Sequence, residues 1–444
     1  MSSSHAADIA YETGPASRPR GGIRPLALAL VWLTFATGSF VFAEPAPYDV
    51  LMLGLVFALP LVRLADMTPR LTLFLGLWLA ITAGGLLAVT QAYGIERPLK
   101  HTLITLYLSL SAVLVAGFVR HDPERHARLI LSGWAFAAFV AASAAAIGYF
   151  GLLPGAYDLF TEYGRARGPF KDANVFGPFL VPVLLYGLHL AVAGTAGRAL
   201  GVVLLVPLLL FCVLVTFSRG AWLHAFVSLL VYAYLAFATA PTHRRRLKLL
   251  LFALLGAGLA VVVLASALQV GQIADLFGER AAFTHSYDVG PDGRFGGHFK
   301  ALRLILENPL GIGAVEFGYT YHNEDVHNVY LAMFLNAGWL GGLLYLALVL
   351  MTLAMGFAHA VRATPTRGLM IVALASFAGI AVLGLVIDTD HWRHFFVIMG
   401  LIWGLAATPG RAVEAGPRRA SPQMHELGGK ISLLYQGNGR SGRI

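Results

Sequence analysis

The sequence predicts an all-α, polytopic integral membrane protein of about 12 transmembrane helices, with a large outer loop that carries a short amphipathic helix. Three observations predict this. The 444-residue chain is 57% hydrophobic and only 12% charged, against about 25% charged in soluble domains. Apolar runs long enough to cross about 30 Å of hydrocarbon recur along almost its whole length. The single cysteine, Cys212, lies inside one of those runs, which excludes an intrachain disulfide and any Cys/His zinc spacing. The net charge of +9 does not call for nucleic acid, because polytopic membrane proteins collect Lys and Arg on one side.

Residues 1–22 are polar and Gly/Arg-rich, and are expected to be a disordered cytoplasmic N-terminus. No small-residue cleavage site follows a short apolar core, so the next segment is read as a retained anchor. Spans are expected at Ile23–Phe42, Tyr48–Leu64, Leu71–Tyr93, His101–Val119 and Ala127–Phe150. A loop to Ala173 follows, then spans at Val175–Val192, Ala199–Phe217, Ala221–Thr239 and Leu247–Leu268. The large loop runs from Gln269 to about Val326. The chain re-enters at His327, breaks near Gly338 and continues as Trp339–Ala360. Leu369–Ile387 and Phe395–Ala407 are the last spans, and residues 408–444 are expected to be a disordered cytoplasmic tail. The core of the chain, 23–407, is thus one transmembrane domain.

Charge tests this layout. With the N-terminus in the cytoplasm, 21 of the 32 basic residues fall inside, as the positive-inside rule requires. The eleven on the outer side are Arg97, Lys100, Arg165, Arg167, Lys171, Arg219, Arg280, Arg294, Lys300, Arg303 and Arg393. They read either as head-group contacts or as ligands for an anionic substrate at the outer face.

Four segments carry chemistry-bearing residues. Thr216–Trp222 is a tight turn between two spans, and an arginine there, Arg219, reads as functional or as a snorkelling helix-end residue. A guanidinium matches phosphate oxygens in a fork, which suits a pyrophosphate. Gly164–Asn174 is a basic Gly/Pro-shaped loop holding Arg165, Arg167, Lys171 and Asn174; Asn174 is expected to cap the next helix. Arg294 opens an amphipathic helix whose apolar stripe is Phe295, Phe299, Leu302, Leu304 and Ile305, stopped by Asn308-Pro309; a helix N-terminus favours anions. A Gly-rich turn follows, then a polar cluster with Tyr321, His322, Glu324 and Asp325. Last comes His327-Asn328 at the start of a span. An imidazole takes a proton from a hydroxyl near neutral pH, although a helix-start histidine bonded to backbone reads equally well. Asp388, Asp390, His391 and Arg393 form a further polar group on the same outer side.

Together these segments resemble the bacterial O-antigen ligase and O-antigen polymerase superfamily of membrane glycosyltransferases. The carrying residues are FSRGAW at 217–222, GPFKDANVFG at 168–177, Gly293-Arg294 followed by ALRLILENPLGIG at 301–313, and HNVYLAMFLNAGWLGG at 327–342. The resemblance covers about residues 165 to 405. It implies a metal-independent inverting glycosyltransferase without cofactor in the bacterial inner membrane, its active site facing the periplasm. The donor is then a glycan on undecaprenyl pyrophosphate. The acceptor is lipid A-core for a ligase, or a second lipid-linked glycan for an O-antigen or exopolysaccharide polymerase; the ligase reading is preferred. Carried over by position, Arg219 and Arg294 hold the pyrophosphate and His327 activates the acceptor hydroxyl. The family often has an aromatic residue at a fixed distance after the loop arginine. This chain has Arg-Phe-Gly-Gly-His there, so Arg280 and Arg303 are the alternatives to Arg294. Arg165, Arg167, Lys171, Asn174, Arg303, Tyr321, His322, Asn328, Asp388 and Arg393 are further candidate substrate contacts. No metal ligand is expected. A transporter without chemistry is the rival reading; it calls for repeated halves and charges near the midplane, and the sequence has no internal repeat.

Overall fold

The computed structural model describes residues 22–193, 196–267, 269, 271, 278 and 293–407. Helices fill nearly all of it: α1 (Ile23–Ala36), α2 (Pro47–Leu61), α3 (Pro69–Val89), α4 (Glu96–His121), α5 (Pro123–Tyr149), α6 (Ala156–Phe160), α7 (Ala173–Ala193), α8 (Ala196–Val215), α9 (Arg219–Ala238), α10 (His243–Ala267), α11 (Arg294–Glu307), α12 (Val329–Ala360), α13 (Arg367–Leu383) and α14 (Arg393–Ala406). Two short strands, Thr161–Glu162 and Arg165–Ala166, pair antiparallel after α6. Among the described residues, seven helices are long and apolar enough to cross a membrane, and five further apolar helices are shorter. The large loop that the sequence placed at 269–326 falls mostly outside the described residues up to 292.

Local chemistry sets where these helices begin. Proline sits in the first turn of α2, α3 and α5, where its missing N–H costs nothing and its fixed φ suits a helix. Thr68, Ser218 and Asn328 cap α3, α9 and α12, each side-chain oxygen accepting a first-turn amide. The helices then pack pairwise: α4 on α14, α3 on α12, and α9 on α13. Gly400 and Gly404 let α14 approach α4 so closely that a Cβ at either would come within 2.6 Å of the carbonyls of Ala112 and Ala116. Small residues four apart serve this purpose in lipid, where no hydrophobic force drives helices together.

The expected break at Gly338 is present. Gly338 has φ 67° and ψ −174° inside α12, a conformation essentially confined to glycine. The loop after α11 docks into the gap. Ile312 N–H donates to Leu335 O and Trp339 N–H to Pro309 O, each at 2.9 Å. These bonds satisfy the backbone groups that the break exposes, a requirement wherever water is scarce. Gly338→Ala adds a Cβ 2.8 Å from Pro309 O in a backbone state that alanine avoids. The variant is expected to lose about 1–3 kcal/mol, read as a lower Tm of the purified protein.

The amphipathic helix is also where the sequence located it, and the protein buries only part of its apolar stripe. Ala301 and Ile305 are buried, with Leu304 partly so, in a satellite core with Ile312, Phe317, Val326 and Leu335. Phe299 and Leu302, on the same apolar stripe, are exposed. A helix lying along a membrane surface has two apolar neighbours, protein and lipid, so its apolar residues do not all point into the protein.

Candidate functional site

Four of the predicted segments meet at one end of the bundle. The Ser218–Arg219 hairpin starts α9. Phe217 before it adopts a left-handed φ of 47°, which makes the turn tight, and the Ser218 hydroxyl caps the helix by accepting from Ala221 N–H. Arg219 is the first residue of α9 and is half-buried. Next to it, the end of α13 packs so closely that a Cβ on Gly220 would come within 2.8 Å of Leu383. One residue further, the Gly384 carbonyl accepts from Val329 N–H at 2.9 Å, which ties the start of α12 to the same place.

His327 sits at that junction. Its φ of 51° is left-handed, and its backbone N–H donates to Asp388 Oδ2 at 3.1 Å. The ring lies between two carboxylates: Nδ1 is 3.8 Å from Asp388 Oδ2 and Nε2 is 3.7 Å from Glu324 Oε2. These are ion-pair distances, longer than hydrogen bonds. The side chain is 35% exposed. A carboxylate on one side of an imidazole orients the ring and stabilises the protonated form that a base becomes. Asn328, a predicted substrate contact, spends its side-chain oxygen on the Tyr330 and Leu331 amides.

α11 reaches the same place through its first turn. His298 lies 2.9 Å from Val326 O, and Gly297 lies against the His322 ring. Arg294 opens this helix one turn before His298. The Arg294 side chain and all of Arg280 lie outside the described residues. Arg303 pairs with Glu307 at 2.8 Å and is 80% exposed. Tyr321 stands beside Tyr93, and burial pushes its hydroxyl pKa up. The His322 ring stacks on Phe317.

The basic loop braces the hairpin. Arg165 Nε donates to Thr216 O at 2.8 Å, and its Nη2 donates to Asn174 Oδ1 at 2.7 Å. Asn174 is therefore not the cap of α7. Asp172 holds that position, accepting the Asn174 amide on Oδ1 at 2.8 Å, because a carboxylate two residues upstream outcompetes a side chain already bound to arginine. Arg167 has a buried Nε.

Arg393 and Lys171 are met by acids the sequence did not single out. Arg393 forms a two-bond fork with Asp49, 2.7 Å each, and lies 3.9 Å from Glu44. Lys171 is 3.4 Å from Glu44. Both cations are thus partly neutralised within the protein. A cavity of about 220 Å³ lies beside them, lined by Tyr48, Trp134, Phe170 and Phe179 together with Lys171 and Arg393; neither Arg219 nor His327 lines it.

The Asp388–Asp390 pair also separates. Asp388 turns to His327, while Asp390 lies 3.4 Å from His101. His101 stacks on His391, ring centroids 3.7 Å apart, and His391 Nε2 lies 2.9 Å from Thr105 Oγ1. Burial lowers the His391 pKa to about 4, leaving the ring neutral at neutral pH. The ligand atoms of His101, Asp390 and His391 all lie within 4.8 Å of one another, the one such group among the described residues. His101 is invisible to a motif search because it lies on α4, far away in sequence.

No curated protein matches the chain. Residues 203–346, from within α8 to the first half of α12, match the family model described as O-Antigen ligase. That stretch includes the Arg219 hairpin, α11 and His327, and the match supports the O-antigen ligase and polymerase superfamily for this multi-helix membrane chain.

Proposed function

We propose that the protein is an O-antigen ligase-type glycosyltransferase that moves a glycan from undecaprenyl pyrophosphate to lipid A-core at the periplasmic face of the inner membrane. The observation that carries this reading is the junction of the Arg219 hairpin, the start of α11 and His327, inside the stretch that matches the ligase family. Lipid pyrophosphate is a good leaving group, so the site must stabilise departing charge more than supply a strong acid. In this reading Arg219 and Arg294 do this. His327, oriented by Asp388, takes the proton of the acceptor hydroxyl as that oxygen attacks the anomeric carbon. Attack from the face opposite the pyrophosphate inverts the centre. The charge count supports this side: with the N-terminus in the cytoplasm, 21 of the 32 basic residues fall inside and eleven fall on the side of this site.

A polymerase uses the same chemistry with a second lipid-linked glycan as acceptor. Purified protein incubated with a lipid-pyrophosphate glycan, with and without lipid A-core, separates the readings. Product only with lipid A-core supports the ligase. Longer lipid-linked chains without it support the polymerase. No product in either overturns both.

The chemistry proposed is metal-independent, so transfer is expected to continue in EDTA. Loss of activity that a divalent cation restores would replace this mechanism with a metal-assisted one and direct attention to His101, Asp390 and His391.

A further inference from the structure

A second polar cavity, about 220 Å³, lies among the first turns of α5, α10 and α13 and the last turns of α7 and α9. Arg128, Arg245 and Arg367 line it, with His189, Tyr232 and Thr239. No Asp or Glu does. α9 carries Arg219 at its first residue and Thr239 just past its last, so the two places are about 30 Å apart at 1.5 Å per residue. This cavity is not part of the site described above.

Three guanidinium groups around one cavity repel each other, the more so away from bulk water. Arg128 has a partial partner: its Nε and Nη2 both donate to Glu124 Oε1, at 3.2 and 3.0 Å, in a half-exposed pair one helix turn away. Such pairs hold a charge weakly. Among the described residues no carboxylate pairs with Arg245 or Arg367. The backbone adds to the positive character. α13 begins at Arg367 with no side-chain cap on its first-turn amides, and the Thr366 hydroxyl lies instead 3.4 Å from His359 Nε2. Gly368 and Leu369, at that helix start, both line the cavity. Gly368 has no side chain, which lets the His189 ring lie directly against the helix end. Uncapped amides at a helix start and convergent arginines favour the same ligand, an anion with several oxygens.

We infer that this cavity binds a phosphate group. Its three arginines surround the oxygens, the α13 amides meet them along the helix axis, and the Tyr232 and Thr239 hydroxyls supply further hydrogen bonds. Two sources present this chemistry: the headgroup of an anionic phospholipid and free inorganic phosphate. The lipid source fits the place, because α10 beside the cavity is apolar and exposed along almost its whole length.

Full-length protein in detergent tests this. Dioctanoyl phosphatidylglycerol binding is read by native mass spectrometry, and inorganic phosphate binding by equilibrium dialysis with radiolabel. Saturable lipid binding that phosphate does not displace assigns the site to a headgroup. Phosphate binding that competes with the lipid assigns it to free phosphate. Arg245→Gln and Arg367→Gln are each expected to weaken binding by about tenfold or more. Arg246→Gln is expected to leave it unchanged, since that guanidinium lies over the Phe237 ring and does not line the cavity. If wild-type protein binds neither probe saturably, the inference is wrong whatever the variants do. Equal binding by wild type and by gel-filtration-monodisperse Arg245→Gln and Arg367→Gln overturns it as well.

Discussion

His327→Ala is expected to reduce glycan transfer by about 10²–10⁴-fold while leaving donor binding close to wild type. The imidazole stands at the start of α12 between Asp388 and Glu324, partly open to the outside. A base in that position acts on the acceptor hydroxyl, so its contribution appears in the transition state and not in the affinity for the lipid-linked donor. The loss therefore falls on kcat. The backbone of His327 makes its own bond to Asp388 through N–H, which alanine keeps, so the junction is expected to survive. Turnover and binding of the lipid-linked donor, measured on the same folded preparation, give the two quantities. Near-normal turnover would make His327 a helix-start residue and move the search for a base to His322, Glu324, Asp325 and Asp388.

Much of this arrangement is legible in the sequence because it depends on punctuation. Asn308-Pro309 ends α11, Gly338 breaks α12, and Ser218 and Asn328 start α9 and α12; each signal is carried by residues within a few positions of the boundary it sets. The position of the two turns that carry Arg219 and His327 follows from such signals. What is not legible is which charges meet. Arg393 finds Asp49 on α2, Lys171 finds Glu44, and Asp390 finds His101 on α4. These pairs are made by helix packing over hundreds of residues, and no local window contains both members. The α7 cap is a different case: Arg165, nine residues upstream in the same loop, takes the Asn174 side-chain oxygen, and Asp172 accepts the Asn174 amide. The apolar stripe on α11 is legible, but which of its residues the protein buries is not. Where one face of a helix meets lipid and another meets protein, both are apolar, and periodicity loses its power to tell them apart.

The sharper test of the donor site is a pair of substitutions at Arg219. Arg219→Lys keeps the positive charge and removes the planar fork, while Arg219→Ala removes both. If this residue grips a pyrophosphate through two parallel N–H···O bonds, the lysine variant loses most of the geometry that makes the contact strong. Charged hydrogen bonds of this kind contribute about 1.5–3 kcal/mol, so both variants are expected to bind the lipid-linked donor roughly ten to a hundred times more weakly. Arg219 occupies the first turn of α9 after a tight, Ser218-capped bend, so lysine there does not disturb the helix start. A purely electrostatic role predicts a different pattern, because an ammonium at the same distance supplies the same long-range field. Donor binding by Arg219→Lys close to wild type, with Arg219→Ala still impaired, would therefore reduce Arg219 to a general attractor of anions and leave the grip on pyrophosphate to Arg294 and its neighbours.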